Sequence, residues 1–254
     1  TTKPCLTITC PTETETLVDA IVKCLTVGNF RSRFWGEQVQ AWLDLAAVQH
    51  AREAERKLIT AIGTGSTQVT SGTQLGTTRD VLATLDRAVA AFRNRHRAPS
   101  LTLHWAAPAW LRDMIRADIA RQMPVGTNDE TLALADASIA RWLAVRNLNV
   151  TWLLEGETGQ DFGAQGDAPL LGWPSTAVTY LYPEGSWLFL DGGMFDFGIV
   201  RDSTLNSTND FQVFAETLEG AHFHGVESYR LVMDVCPDGS AAALVDISPC
   251  ATGS

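Results

Sequence analysis

Residues 51–67 read AREAERKLITAIGTGST, and the fold turns on how that run is parsed. A charged, helix-favouring segment gives way to Gly63-Thr64-Gly65-Ser66-Thr67, which has the look of a phosphate cradle. A loop of the G-x-x-x-x-G-K-[ST] type lies between a strand and the helix that follows it, so that amides at a helix N-terminus face the phosphates. Here the glycines come after a helix, where the macrodipole presents its negative end, and no lysine follows them. They therefore read as a helix stop. Gly63 stands where a left-handed C-cap is wanted, Gly65 frees the turn behind it, and the Thr/Ser/Gly run over 64–78 is expected to be a polar loop.

Upstream of that stop, Val39, Trp42, Leu43, Ala46, Ala47, Ala54, Leu58 and Ile62 recur at three- and four-residue steps from Gly36 onward. At 1.5 Å per residue this helix is about 40 Å long, which suits a spine against which other elements pack. Before it, ETLVDAIVKCLTVGNF (15–30) alternates enough to predict a strand or strand pair. After the loop, Arg79 to Arg97 carries a buried stripe of Val81, Leu82, Leu85, Ala88, Val89 and Phe92, with Thr77 or Thr78 as N-cap. That helix ends in Arg93-Asn94-Arg95-His96-Arg97. The knot of cations suits a negative helix end, with an inter-subunit salt-bridge role as the other reading.

LTLHWA (101–106) predicts a strand, and PAWLRDMIRADIARQM (108–123) and TLALADASIARWLAVRNL (131–148) predict helices, the first opened by Pro108. NVTWLLEG (149–156) predicts a buried strand, followed by a glycine-rich loop over 157–174. The last third is strand-rich, at 180–182, 186–190, 195–201, 211–217, 229–235 and 241–247. The order of elements indicates an α+β fold.

Composition narrows the function. Apolar residues make up 45% of 254 residues, enough for a sizeable core, and no run is long and apolar enough to span a bilayer. The start, TTKPCLTITC, lacks the pattern of a secretory signal. A net charge of −10 argues against a nucleic-acid reader, whose binding is driven by a basic face. Only Lys3, Lys23 and Lys57 are lysines, which limits lysine chemistry. Cys5, Cys10, Cys24, Cys236 and Cys250 are odd in number and widely spread, so reduced structural cysteines are expected, in a protein made inside the cell.

Candidate chemistry is thin. His222 and His224 would share one strand face as metal ligands, with Glu219 and Glu227 as the nearest carboxylates. Glu155 and Asp161 flank the glycine-rich loop as a possible acid–base pair. No serine stands in a G-x-S-x-G elbow, and Cys24 reads as a small core residue. Trp42, Trp110 and Trp142 fall on apolar helical faces, where packing accounts for them. No catalytic, cofactor-binding or metal-binding constellation survives.

The element order resembles that of the major capsid proteins of tailed bacteriophages, the Hong Kong 97 fold. The resemblance rests on the spine helix ending in IGTGS (62–66), the short LTLHW strand, the glycine-rich loop at 157–172 and the return DGGMFDFGIVRDSTLNSTNDFQVFAETLEGAHF (191–223). Within the return, Asn209-Asp210-Phe211 fits the family's DxF step. The likeness implies a peripheral domain of 13–98 and 194–254, an axial domain of 99–193, and a loop near the capsomer axis at 157–172. Residues 1–12 would be the remnant of an N-terminal arm or E-loop, in a chain processed or truncated upstream. Lys3 could take the E-loop position of the family's lysine–asparagine crosslink. Phe214 and Ala221 stand where its partner asparagine and glutamate should fall, so the crosslink is not carried over.

The resemblance implies a non-enzymatic shell protein without cofactors, assembling as pentamers and hexamers into a virion head around double-stranded DNA in the host cytoplasm. Its partners would be copies of itself, with portal, scaffold and cement proteins in attendance, and no membrane. Exposed aromatics and arginines would then anchor interfaces. The Ala- and Arg-rich flavour is most similar to phages of actinobacteria. The alternatives are an encapsulin-like nanocompartment shell and a hydrolase using Glu155 and Asp161.

Overall fold

The computed structural model describes residues 15–71, 77–122, 130–157, 174–193 and 196–235, with the single positions 7, 10 and 13. The strand expected at 241–247, Asp161, nearly all of the glycine-rich loop, Lys3, Cys5, Cys236 and Cys250 lie outside the described residues. The chain runs through β1 (Asp19–Gly28), whose burial alternates, and a short helix α1 (Asn29–Phe34) into the spine α2 (Gly36–Thr64). The expected polar loop over 64–78 holds a strand instead, β2 (Thr67–Ser71), before α3 (Thr77–Arg95) begins. The stripe of α3 is buried as its spacing predicts, apart from half-buried Leu82. Its expected caps, Thr77 and Thr78, lie inside the first turn, and the Thr78 amide donates 2.9 Å to buried Asp118 of the neighbouring helix.

β3 (Leu103–Pro108) leads into α4 (Ala109–Gln122), so Pro108 stands one residue ahead of the helix. α5 (Glu130–Val145), β4 (Leu148–Leu153), β5 (Thr176–Pro183), β6 (Trp187–Asp191) and β7 (Asp196–Val200) follow. A five-residue helix α6 (Ser203–Ser207), capped by Asp202, precedes the long β8 (Asp210–Phe223) and then β9 (Tyr229–Asp234). No helix among the described residues is long and apolar enough to cross a membrane.

The strands form two sheets. In the first, β8 pairs antiparallel with β1 along one edge and with β7 and β6, end to end, along the other. The second has the order β2-β9-β5-β3-β4. Its β3 and β4 run parallel, which requires the crossover that α4 and α5 supply. One face of this sheet packs Leu103, Trp105, Leu181, Leu231 and Met233 against α3, α4 and α5. Its other face sets Ala106, Val178 and Tyr180 against Ile59 and Ile62 of the spine. The first sheet meets the spine through Val27, Phe211 and Val213, which pack on Val39 and Leu43. Buried His50 adds a pin, its Nε2 lying 2.9 Å from the Ile21 carbonyl. The spine is thus shared by both sheets.

Where the chain leaves β4, Glu155-Gly156-Glu157 clasps the C-terminal half of the spine. Buried Glu155 receives Arg52 and, at 3.4 Å, Arg56, which also pairs with Glu53 at 3.2 Å. Glu157 accepts hydrogen bonds from Tyr180 Oη at 2.6 Å and from Arg230 at 2.7 and 2.5 Å. This overturns the C-cap expected at Gly63. The helix continues to Thr64 and ends on Gly65 with φ −81°, in the right-handed region. Gly63 is buried inside the last turn because Glu157 lies against it, and a Cβ there would collide with Oε1. Gly65 is needed for a similar reason, since Trp187 occupies the space a side chain would take.

The clasp sets stability expectations. Gly63→Ala drives a methyl into Glu157, and overpacking of this kind costs about 1–3 kcal/mol, readable by urea denaturation. Burial pushes the Glu157 carboxyl up, but hydrogen bonds from Arg230 and Tyr180 and the Arg230 charge outweigh it and hold the group below its usual range. A depressed carboxyl contributes stability that is present above its unfolded value of about 4.3 and lost as pH falls through the folded value. Glu157→Gln should therefore lower the urea midpoint at pH 7 and flatten its decline in acid. Glu55 has the opposite sign, because burial and then the Glu155 charge raise it, partly offset by the Glu155 backbone amide. Its penalty is absent below about pH 4.3 and grows as pH rises through the raised value. Glu55→Gln should raise the midpoint at pH 7 and leave it unchanged in acid.

Candidate assembly surfaces

The side chains that carried chemical readings are placed by packing. Glu155 is a buried carboxylate held by two arginines of the spine, and its expected partner Asp161 lies outside the described residues. His222 lies in β8 and is hydrogen-bonded through Nδ1 to Thr16 at 2.5 Å, whereas His224 lies past the strand end. The two imidazoles therefore do not share a strand face. Glu227 is taken by Arg95 at 3.1 Å and by His96 at 2.7 Å. Among the described residues no group of three or more candidate ligands could hold a metal. Cys24 corrects its expectation too. Ile21 and Val27 of β1 turn to the spine, and Cys24, an odd number of positions from both, turns away and is exposed.

The basic knot at the end of α3 is used inside the chain. Arg93 donates to the carbonyls of Leu101 at 2.9 Å and Arg146 at 2.6 Å. Arg146 in turn pairs with Asp86 and lies 3.8 Å over the Trp142 ring. Its arginines thus join α3, the end of α5 and the turn before β9.

What the fold leaves open is surface. At the head of the spine Phe30, Phe34 and Trp35 are 67%, 79% and 57% exposed, with Arg31 and Arg33 between them. Trp42, about two turns on, is 54% exposed rather than packed, while Trp110 and Trp142 do pack against the core. Three aromatics in six residues was a sequence signal, but it had no stripe to attach to and went unread. A groove between α2 and β7 is lined by Leu25, Leu43, Ala47, Phe197 and Val213. A second, farther along the spine, is walled by Leu58, Ala61, Phe189 and Ala221, with Asp19 and Glu219 on its rim. Large apolar groups beside arginines, with polar groups at the rim, are the composition of an association surface.

No family model matches the sequence, and neither does any curated protein. Solved structures do match. One from Mycobacterium phage Che8 gives a TM-score of 0.54 at 9% identity, over 84% of this chain and 70% of that one. One from Gordonia phage Cozz gives 0.53 at 9% identity, over 92% and 79%. The head structure of Helicobacter pylori bacteriophage KHP40 gives 0.52 at 11% identity, over 85% and 75%. At such identities the likeness is one of backbone path, and it agrees with the element order. The chain has an α+β fold, the Hong Kong 97 fold of phage major capsid proteins.

Proposed function

We propose that this chain is the structural shell protein of a tailed phage, assembling as pentamers and hexamers into an icosahedral or prolate head around double-stranded DNA. The observation that carries this reading is the shared backbone with the KHP40 head structure, over 85% of this chain. The surfaces support it, since large apolar edges remain open while Glu155 and Glu157 are spent on arginines. In this reading 13–98 with 194–254 forms the peripheral domain and 99–193 the axial domain. The spine would carry both.

The subunit acts by shape rather than catalysis. Heterologous contacts between identical copies close into rings, and rings close into a shell. A net charge of −10 leaves a weak hold on DNA, so the genome is enclosed without sequence-specific contacts and stays mobile for release. Portal, scaffold and cement proteins would meet the same shell, assembled in the bacterial cytoplasm. The three structures named above come from phages, which favours a phage head over a nanocompartment shell.

The test is negative-stain microscopy with light scattering on the chain expressed together with its upstream coding region. Closed polyhedral shells built from pentamers and hexamers are expected. Shells filled by a co-expressed protein would move the assignment to the nanocompartment class. A chain that stays monomeric under every assembly condition would overturn the shell reading.

A further inference from the structure

The exposed aromatic knuckle at the head of the spine and the acid-rimmed groove beside its far half have complementary chemistry. The knuckle presents Phe30, Phe34 and Trp35 to solvent, and Arg31 and Arg33 have no ion-pair partner among the described residues. Aromatic residues with arginine are what protein interfaces concentrate at their energetic centres. The groove offers the apolar walls of Leu58, Phe189 and Ala221. Asp19 and Glu219 stand on its rim, and sheet register sets Asp19 opposite Glu219 and Glu219 opposite Asp191, which extends the rim into a row of three carboxylates across β1, β8 and β6. Like charges directly opposite one another on a sheet are destabilising. The one cation paired to this row among the described residues is Lys57, 3.9 Å from Asp19, with both groups exposed.

The knuckle cannot reach the groove of its own chain. The knuckle precedes Gly36, the first residue of α2, and Leu58 lies about 33 Å farther along that helix at 1.5 Å per residue. Such a contact must form between copies, and because the two surfaces differ it is heterologous.

We propose that the knuckle of one copy docks into the acid-rimmed groove of a second copy, with Arg31 and Arg33 meeting Asp19, Glu219 and Asp191 while Phe34 and Trp35 cover Leu58 and Phe189. This rests on the shell reading for its biological role, although the contact itself needs only two copies. Attraction between the two rims steers the partners and fixes their register, and the aromatics supply the burial. Rising salt weakens the rim and leaves the apolar part in place.

The experiment is a charge swap in the full chain. Arg31→Glu with Arg33→Glu reverses the knuckle, and Asp191→Lys with Glu219→Lys reverses the rim. Association is followed by sedimentation and light scattering, and folding by far-UV dichroism. Each reversal should raise the threshold concentration for association about tenfold or more. The two variants mixed together should associate, because one knuckle then meets the other's groove with signs matched. Reversal of either side without a change in threshold would overturn the docking, as would a mixture no better than its components. A variant that fails to fold is replaced by single reversals at Arg33 and Asp191, read in the same way. Wild-type chain that forms small salt-sensitive oligomers but no closed shell would sink the shell reading and keep the contact. Wild-type chain that is monomeric throughout would sink both.

Discussion

Two carboxylates leaving β4, Glu155 and Glu157, are gripped by Arg52 and Arg56 of the spine and by Arg230 and Tyr180 of the second sheet. The placement of the second sheet on the spine depends on that grip. Buried ion pairs return little net stability, because desolvation offsets most of the attraction. What they supply is registration. Guanidinium forks donate to a carboxylate in few orientations, so the clasp settles which turn of the long spine lies against the second sheet. Apolar contact through Ile59 and Ile62 alone would tolerate a shift by one turn. The glycine at 63 follows from the same geometry, since the carboxylate occupies the volume a side chain would need.

A helix registered in this way is mounted rather than enclosed. Only His50, Ile59 and Gly63 of the spine are buried, because one sheet takes one stripe, the other takes the last turns, and neither wraps it. The rest of its length stays half-covered, and its head projects aromatics into solvent. Among the described residues the polar groups of the clasp converge on each other.

The parts legible in the sequence were those with a strong local period. The spine, the stripe of α3 and the strands expected between 180 and 235 announced themselves through spacing, and so did the order of elements that carried the family likeness. β2 escaped because TQVTS is nearly all polar, sits at a sheet edge and is largely exposed, so no alternation marks it. Gly63 was legible as a necessary glycine but not for the right reason, since the residue that requires it lies 94 positions on. Trp42 and Cys24 show a different limit. Spacing tells which residues share a face, but not whether anything covers that face. The acidic row across β1, β8 and β6 is invisible for the same reason, because its members come together only through strand register.

The energetics of the open surface bear on how such a chain would associate. A buried aromatic of this kind removes about 150–250 Å² from water, at about 25 cal/mol per Å². Three of them, already partly covered in the free chain, would return on the order of 10 kcal/mol gross on docking. Association of two proteins costs about 4–15 kcal/mol in lost freedom before side-chain ordering is counted. A single knuckle-in-groove contact is therefore marginal. It becomes strong only when a ring closes, because the last contact then forms between partners already held together at high effective concentration. Misplaced subunits, held by one contact, fall away, whereas those in a closed ring persist. A surface just adhesive enough to fail singly is what allows identical subunits to correct errors during assembly.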